Sequence, residues 1–134
     1  MQLPILDWRL VAAVTLLMVS ISVSADTRVV EVWTCTLNEG KSVEDLNAIN
    51  DKWLAWANKQ SYGGDIRGSI AVPAVSDNLN VVLIIGSYPD RATYGADADA
   101  YFGTAEGEAL EAEYSAIVSC ASNEVFAVTA SGSD

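Results

Sequence analysis

Apolar and polar positions along the chain alternate between two periods, one suited to strands and one to helices. Residues 28–37 (RVVEVWTCTL) are rich in β-branched and aromatic side chains, which predicts a first strand. Beyond the turn at 38–41, Leu46, Ile49, Trp53 and Trp56 recur at spacings of three and four, with Val43 and Ala57 on the same stripe. One apolar helical face therefore runs to about Gln60. Ser42 followed by Asp45 resembles a capping box with Asp in place of Glu, the acidic pair Glu44 and Asp45 suits the positive end of a helix, and Gly63-Gly64 stops it. Residues 66–75 (IRGSIAVPAV) predict a second strand with Pro73 near its end or on an edge, since proline cannot donate to a ladder. Residues 79–87 (LNVVLIIGS) predict a third, paired with the second as an antiparallel hairpin across the short turn at 76–78. Asp90 is the expected N-cap of a second helical region, interrupted at Gly103 and Gly107. It firms up near Glu108, with Ala109, Leu110, Tyr114, Ile117 and Val118 as its buried stripe. Residues 123–129 (NEVFAVT) predict a fourth strand.

The order β-α-β-β-α-β predicts an α+β ferredoxin-like antiparallel sheet, strand order 4-1-3-2, with two helices on one face. This topology brings Cys35, near the end of the first strand, and Cys120, at the end of the second helix, to the same end of the molecule. Cys35 shares its pleat parity with Trp33, Glu31 and Val29, so if that side meets the helices, Glu31 needs a polar partner or an exposed strand end. Val81 to Ile85 are apolar at both parities, and Val30 and Val32 lie beside Val29 and Trp33. Both faces of the sheet therefore call for a cover, and a second subunit packed sheet to sheet is the expected one.

The N-terminal pattern alters the domain count. Residues 10–23 form an uncharged, mostly apolar run, shorter than the roughly 20 residues of a spanning helix, and Val23-Ser24-Ala25 supplies small residues before Asp26. We expect residues 1–25 to be a signal peptide and 26–134 a single domain exported to the periplasm or secreted; the alternative is an uncleaved anchor. The n-region is atypical, because Asp7 offsets its one basic residue, Arg9. Export makes a Cys35–Cys120 disulfide the expectation, worth roughly 4 kcal/mol on the chain-entropy model, with two buried thiols as the alternative.

Charge and composition then narrow the chemistry. Lys and Arg number 7 against 18 Asp and Glu, a net charge of −11 that repels phosphate backbones and anionic lipid, so neither nucleic acid nor a membrane is an expected partner after cleavage. The chain has no histidine, which removes the usual general base and the commonest metal and haem ligand. No metal site, Ser-His-Asp arrangement or phosphate-binding glycine loop is present in the sequence, and no cofactor is expected.

The element order, the Trp-bearing first strand, the stretch Leu46-Asn47-Ala48-Ile49-Asn50-Asp51-Lys52-Trp53 and the pattern Glu106-Gly107-Glu108-Ala109-Leu110-Glu111 together resemble the dimeric α+β barrel superfamily. Its relatives include antibiotic-biosynthesis-monooxygenase-like domains and haem-degrading monooxygenases. The resemblance implies a pocket between the sheet and the helices or the partner, which in some members takes small aromatic or polyketide-like molecules. Haem-processing members depend on a histidine near the iron, and this chain departs from them there.

Candidate ligand-binding residues are Trp33, Tyr62, Asp65, Arg67 and Tyr88. The run Tyr62-Gly63-Gly64-Asp65-Ile66-Arg67 sets a phenol, a carboxylate and a guanidinium around a glycine turn: Arg67 suits an anionic ligand, Asp65 a base, Tyr62 a hydrogen-bond donor. Against that stands an exposed Asp65–Arg67 pair of little consequence. Trp53 and Trp56 at helical spacing belong to a core stripe, and Glu106, Glu108, Glu111 and Glu113 to a solvated helix face. The expected function is an exported small-ligand-binding domain acting as a homodimer. The alternatives are a cofactor-independent monooxygenase-like enzyme on a small aromatic or polyketide-like substrate, and a structural or interaction module.

Overall fold

The computed structural model describes residues 27–131, so the expected signal peptide lies outside the described residues. The elements are β1 (Thr27–Leu37), α1 (Val43–Lys59), β2 (Arg67–Ala71), β3 (Val81–Tyr88), α2 (Arg91–Gly103), α3 (Ala105–Ile117) and β4 (Val118–Thr129). All sheet pairings are antiparallel, in the order β2-β3-β1-β4. This is the ferredoxin-like α+β arrangement that the sequence predicts.

Local chemistry sets the helix boundaries. The Ser42 side chain accepts from the Asp45 amide while the Asp45 carboxylate accepts from the Ser42 amide, so aspartate closes the box as glutamate would. Asp90 caps α2 by accepting from the Thr93 amide at 2.7 Å. The interruption falls at Thr104, which ends α2 and caps α3: its hydroxyl donates to the Ala100 carbonyl and accepts from the Gly107 amide. Helix α3 therefore starts at Ala105, three residues ahead of the expected point, and Gly107 lies inside it. A Cβ at Gly107 would overlap the Tyr101 backbone, so glycine lets the two helices meet closely. Leu110 and Tyr114 are buried in the expected stripe, whereas Ala109 faces solvent.

Two strands differ from expectation. Strand β2 stops at Ala71, two residues before Pro73, which has no amide to extend the ladder. Strand β4 begins at Val118, directly after α3, so Cys120 lies in a strand and not at a helix end. There it pairs with Cys35 across the β1–β4 ladder, and the two form a disulfide. The register explains how. Trp33 opposes Asn123, yet Cys35 opposes Cys120, so Ala121 is an extra residue in a bulge that puts both cysteines on the same side of the sheet.

The side of the sheet carrying Val29, Cys35, Val82 and Tyr88 packs on Leu46, Ile49, Trp53 and Ala57 of α1 and Leu110 and Tyr114 of α3. The sequence condition on Glu31 is met, because Asn123 and Tyr94 both donate to it. Val30, Val32, Leu83 and Ile85 lie on the opposite side and are half-exposed. At the bend into β2, the Asn58 amide group donates to the Leu54 and Ile66 carbonyls and accepts from the amides of Gly64 and Ile66.

The disulfide closes 85 residues of sequence. A Cys35→Ala/Cys120→Ala double variant should therefore lose roughly 4 kcal/mol in urea unfolding. A loss under ~1 kcal/mol would show that strand pairing alone holds β4.

Candidate functional site

Glycines in facing strands create the room from which the site is built. Gly68 and Gly86 are cross-strand partners on the helix-facing side. A Cβ at Gly68 would come within 3.1 Å of the Trp53 ring, and one at Gly86 within 3.2 Å of the Tyr88 ring. Two missing side chains thus let Trp53 of α1 and Tyr88 lie against the sheet, their rings edge to face at 6.4 Å.

In front of this pair lies a cavity of about 400 Å³ between sheet and helices. Glu31, Trp33, Ile84 and Tyr88 come from the sheet, with Trp53 from α1. Helices α2 and α3 contribute Asp97, Tyr101 and Phe102, then Glu111, Tyr114 and Ser115. Ser119 and Cys120 complete the wall where β4 begins. Its size and mixed character are those of a small-molecule site.

The polar groups of the wall are tied to one another. Asp97 is only 3% exposed and accepts from Tyr62 at 3.3 Å on one carboxylate oxygen and from Tyr88 at 3.1 Å on the other. Burial pushes its carboxyl above the ordinary 3.8, and the nearby charge of Glu31 pushes the same way; the bonds from Tyr88 and Tyr62 offset this in part. Burial, followed by the charge of Asp97, raises the Tyr62 and Tyr88 phenols, so both remain donors. Tyr101 donates to Glu111 at 2.6 Å, and Tyr114 donates to the buried Asn50 at 3.1 Å.

The structure divides the sequence candidates. Trp33 and Tyr88 line the cavity, and Tyr62 reaches it through Asp97. Asp65 and Arg67 lie outside the lining, at a corner where the Asp65 carboxylate pairs with Arg28 at 2.6 Å and Arg67 at 2.9 Å. Hydrogen bonds from Arg28, then Arg67, hold the Asp65 carboxyl below the usual carboxylate value.

The sequence pattern did not single out Asp97 or Tyr101; it assigned Tyr114 and Trp53 to buried stripes and Glu111 to a solvated face. A signal was present: Tyr94, Asp97 and Tyr101 recur at spacings of three and four, a polar-aromatic stripe on one face of α2.

No family model and no curated protein matches the chain. Solved structures do. Similar to it are SnoaB, a cofactor-independent oxygenase from Streptomyces nogalater (TM-score 0.54, 10% identity, covering 78% of this chain and 95% of that one), and an uncharacterized NIPSNAP-like domain protein from Burkholderia xenovorans (0.54, 13%, 80% and 89%). A conserved protein of unknown function from Bacteroides thetaiotaomicron, described as a possible oxidoreductase, is also similar (0.54, 14%, 78% and 100%). At these identities the likeness is one of fold: an antiparallel α+β sheet with its helices packed on one side.

The native state favours protonated Asp97 relative to the unfolded chain. The stability this contributes is therefore full below the unfolded value of 3.8 and declines as pH rises through the higher native value. Between about pH 4 and 7, the stability of Asp97→Asn should fall less steeply with pH than that of the wild type, as followed by urea unfolding. Parallel slopes would show that Asp97 titrates alike in both states.

Proposed function

We propose that this protein is an exported homodimeric domain that binds a small, partly apolar ligand between its sheet and its helices. The observation that carries this reading is the cavity of about 400 Å³, walled by aromatic rings and holding a few convergent polar groups. Trp33 and Tyr88 are the candidates that face the ligand, and Tyr62 acts one step removed, by holding Asp97 in the wall. Export is supported by the disulfide, which persists in an oxidising compartment. The dimer is supported by the half-exposed apolar strip Val30, Val32, Leu83 and Ile85, which no element covers among the described residues.

One observation favours a second reading, cofactor-independent oxygenation of a small aromatic or polyketide-like substrate: a buried carboxyl with a raised pKa stands in the wall of an aromatic cavity. SnoaB, similar in fold, is a cofactor-independent oxygenase. Oxygen uptake on adding a candidate phenolic substrate, abolished in Asp97→Asn, is the result that distinguishes an enzyme from a binder.

Native mass spectrometry of the protein purified from its own host should show a bound small molecule, absent from a variant in which Ala98, a wall residue on α2, is replaced by tryptophan (Ala98→Trp) so that the indole fills the cavity. Retention in that variant would place the ligand elsewhere. At micromolar concentration, light scattering should find a dimer in the wild type and a monomer in Val32→Glu/Ile85→Glu; a monomeric wild type would contradict the proposed interface.

A further inference from the structure

The sign of charge around the cavity is one-sided. Three carboxyl groups, Glu31, Asp97 and Glu111, lie in its wall, and no lysine or arginine does. Among the described residues the ion pairs are Arg28 and Arg67 with Asp65, and Lys52 with Glu113, and none of these side chains lines the cavity. The three wall groups are held in place by uncharged donors alone.

Those donors leave one acceptor available. Asp97 and Glu111 each accept on both oxygens, Asp97 from Tyr62 and Tyr88, Glu111 from Tyr101 and Ser115. On Glu31, by contrast, Asn123 at 2.8 Å and Tyr94 at 3.4 Å both donate to Oε1, so Oε2 takes no hydrogen bond among the described residues. Glu31 is thus oriented by two neighbours while keeping an oxygen for which no described residue supplies a donor. The rings of Trp33, Trp53 and Tyr101 line the same cavity, and aromatic rings attract a cation in a partly desolvated space. An anion entering the same space would meet carboxylates with no counter-charge.

We infer that the ligand of this cavity is a small organic cation, an amine or quaternary ammonium on an apolar body, with its charged end at Glu31 and its body among the aromatic rings. This rests on reading the cavity as a ligand site and adds the ligand's charge class to that reading.

The test compares three probes of similar size by calorimetry on the full protein: phenethylammonium, 3-phenylpropanol and 3-phenylpropionate. The ammonium should bind about ten-fold or more tighter than the alcohol, with the carboxylate weakest. Glu31→Gln should reduce the ammonium-to-alcohol ratio by about three-fold or more, whereas Glu44→Gln, on α1 outside the cavity, should leave it unchanged. Alcohol binding equal to or tighter than ammonium would overturn the cation and leave a ligand site standing. An equal loss in both variants would assign the preference to the net charge of the protein and likewise overturn the role of Glu31. No binding by any probe up to millimolar concentration would count against both readings together.

Discussion

A carboxyl group removed from water costs several kcal/mol unless it is hydrogen-bonded or neutralised, and Asp97 is nearly inaccessible. Its environment answers with donors drawn from separate parts of the chain. Tyr62 arrives from the bend after α1 and Tyr88 from the end of β3. One side chain of α2 thereby ties that helix to the sheet and to the turn after α1. The cavity wall is built on these same bonds, because Tyr88 and Asp97 both line it.

The sheet supplies complementary constraints. Gly68 and Gly86 remove two side chains where Trp53 and Tyr88 need space, so a tryptophan that packs as core on one edge forms cavity wall on another. At the far end, the bulge at Ala121 turns Cys120 toward Cys35 and returns Asn123 to the helix-facing side, where it reaches Glu31. A single extra residue therefore serves both the disulfide and the orientation of a wall carboxylate. Without it, Ala121 would oppose Cys35 and the pairing register would carry Cys120 to the outer side.

The element order, the strand order and both helix caps were legible in the sequence, because each rests on local chemistry: the 3.6-residue stripe through Leu46, Ile49 and Trp53, the Ser42–Asp45 box, and Asp90 ahead of α2. The start of β4 was not. Nothing within Ser119-Cys120-Ala121-Ser122 favours a strand by composition; pairing with β1 imposes it, and that is a tertiary effect. The same division applies to the site. Trp33 and Tyr88 were visible as aromatic residues on the sheet, and the condition set on Glu31 by pleat parity pointed to the group whose oxygen remains available. Asp97 looked like one more acidic residue in a chain with 18 of them, because a carboxylate's burial depends on what packs over it. Tyr62, Asp65 and Arg67 are close in sequence but diverge in space: the glycine turn sends Tyr62 inward while the arginines of β1 and β2 hold Asp65 outside.

The site is organised around Asp97 as a buried, phenol-held carboxyl. Carbon-13 NMR of the side-chain carboxyl, titrated through the acidic range, measures this directly. The expected midpoint lies above the ordinary 3.8 and moves higher still in Tyr88→Phe, as a donor to the carboxylate is removed. A midpoint at or below 3.8, unaffected by that substitution, would contradict it.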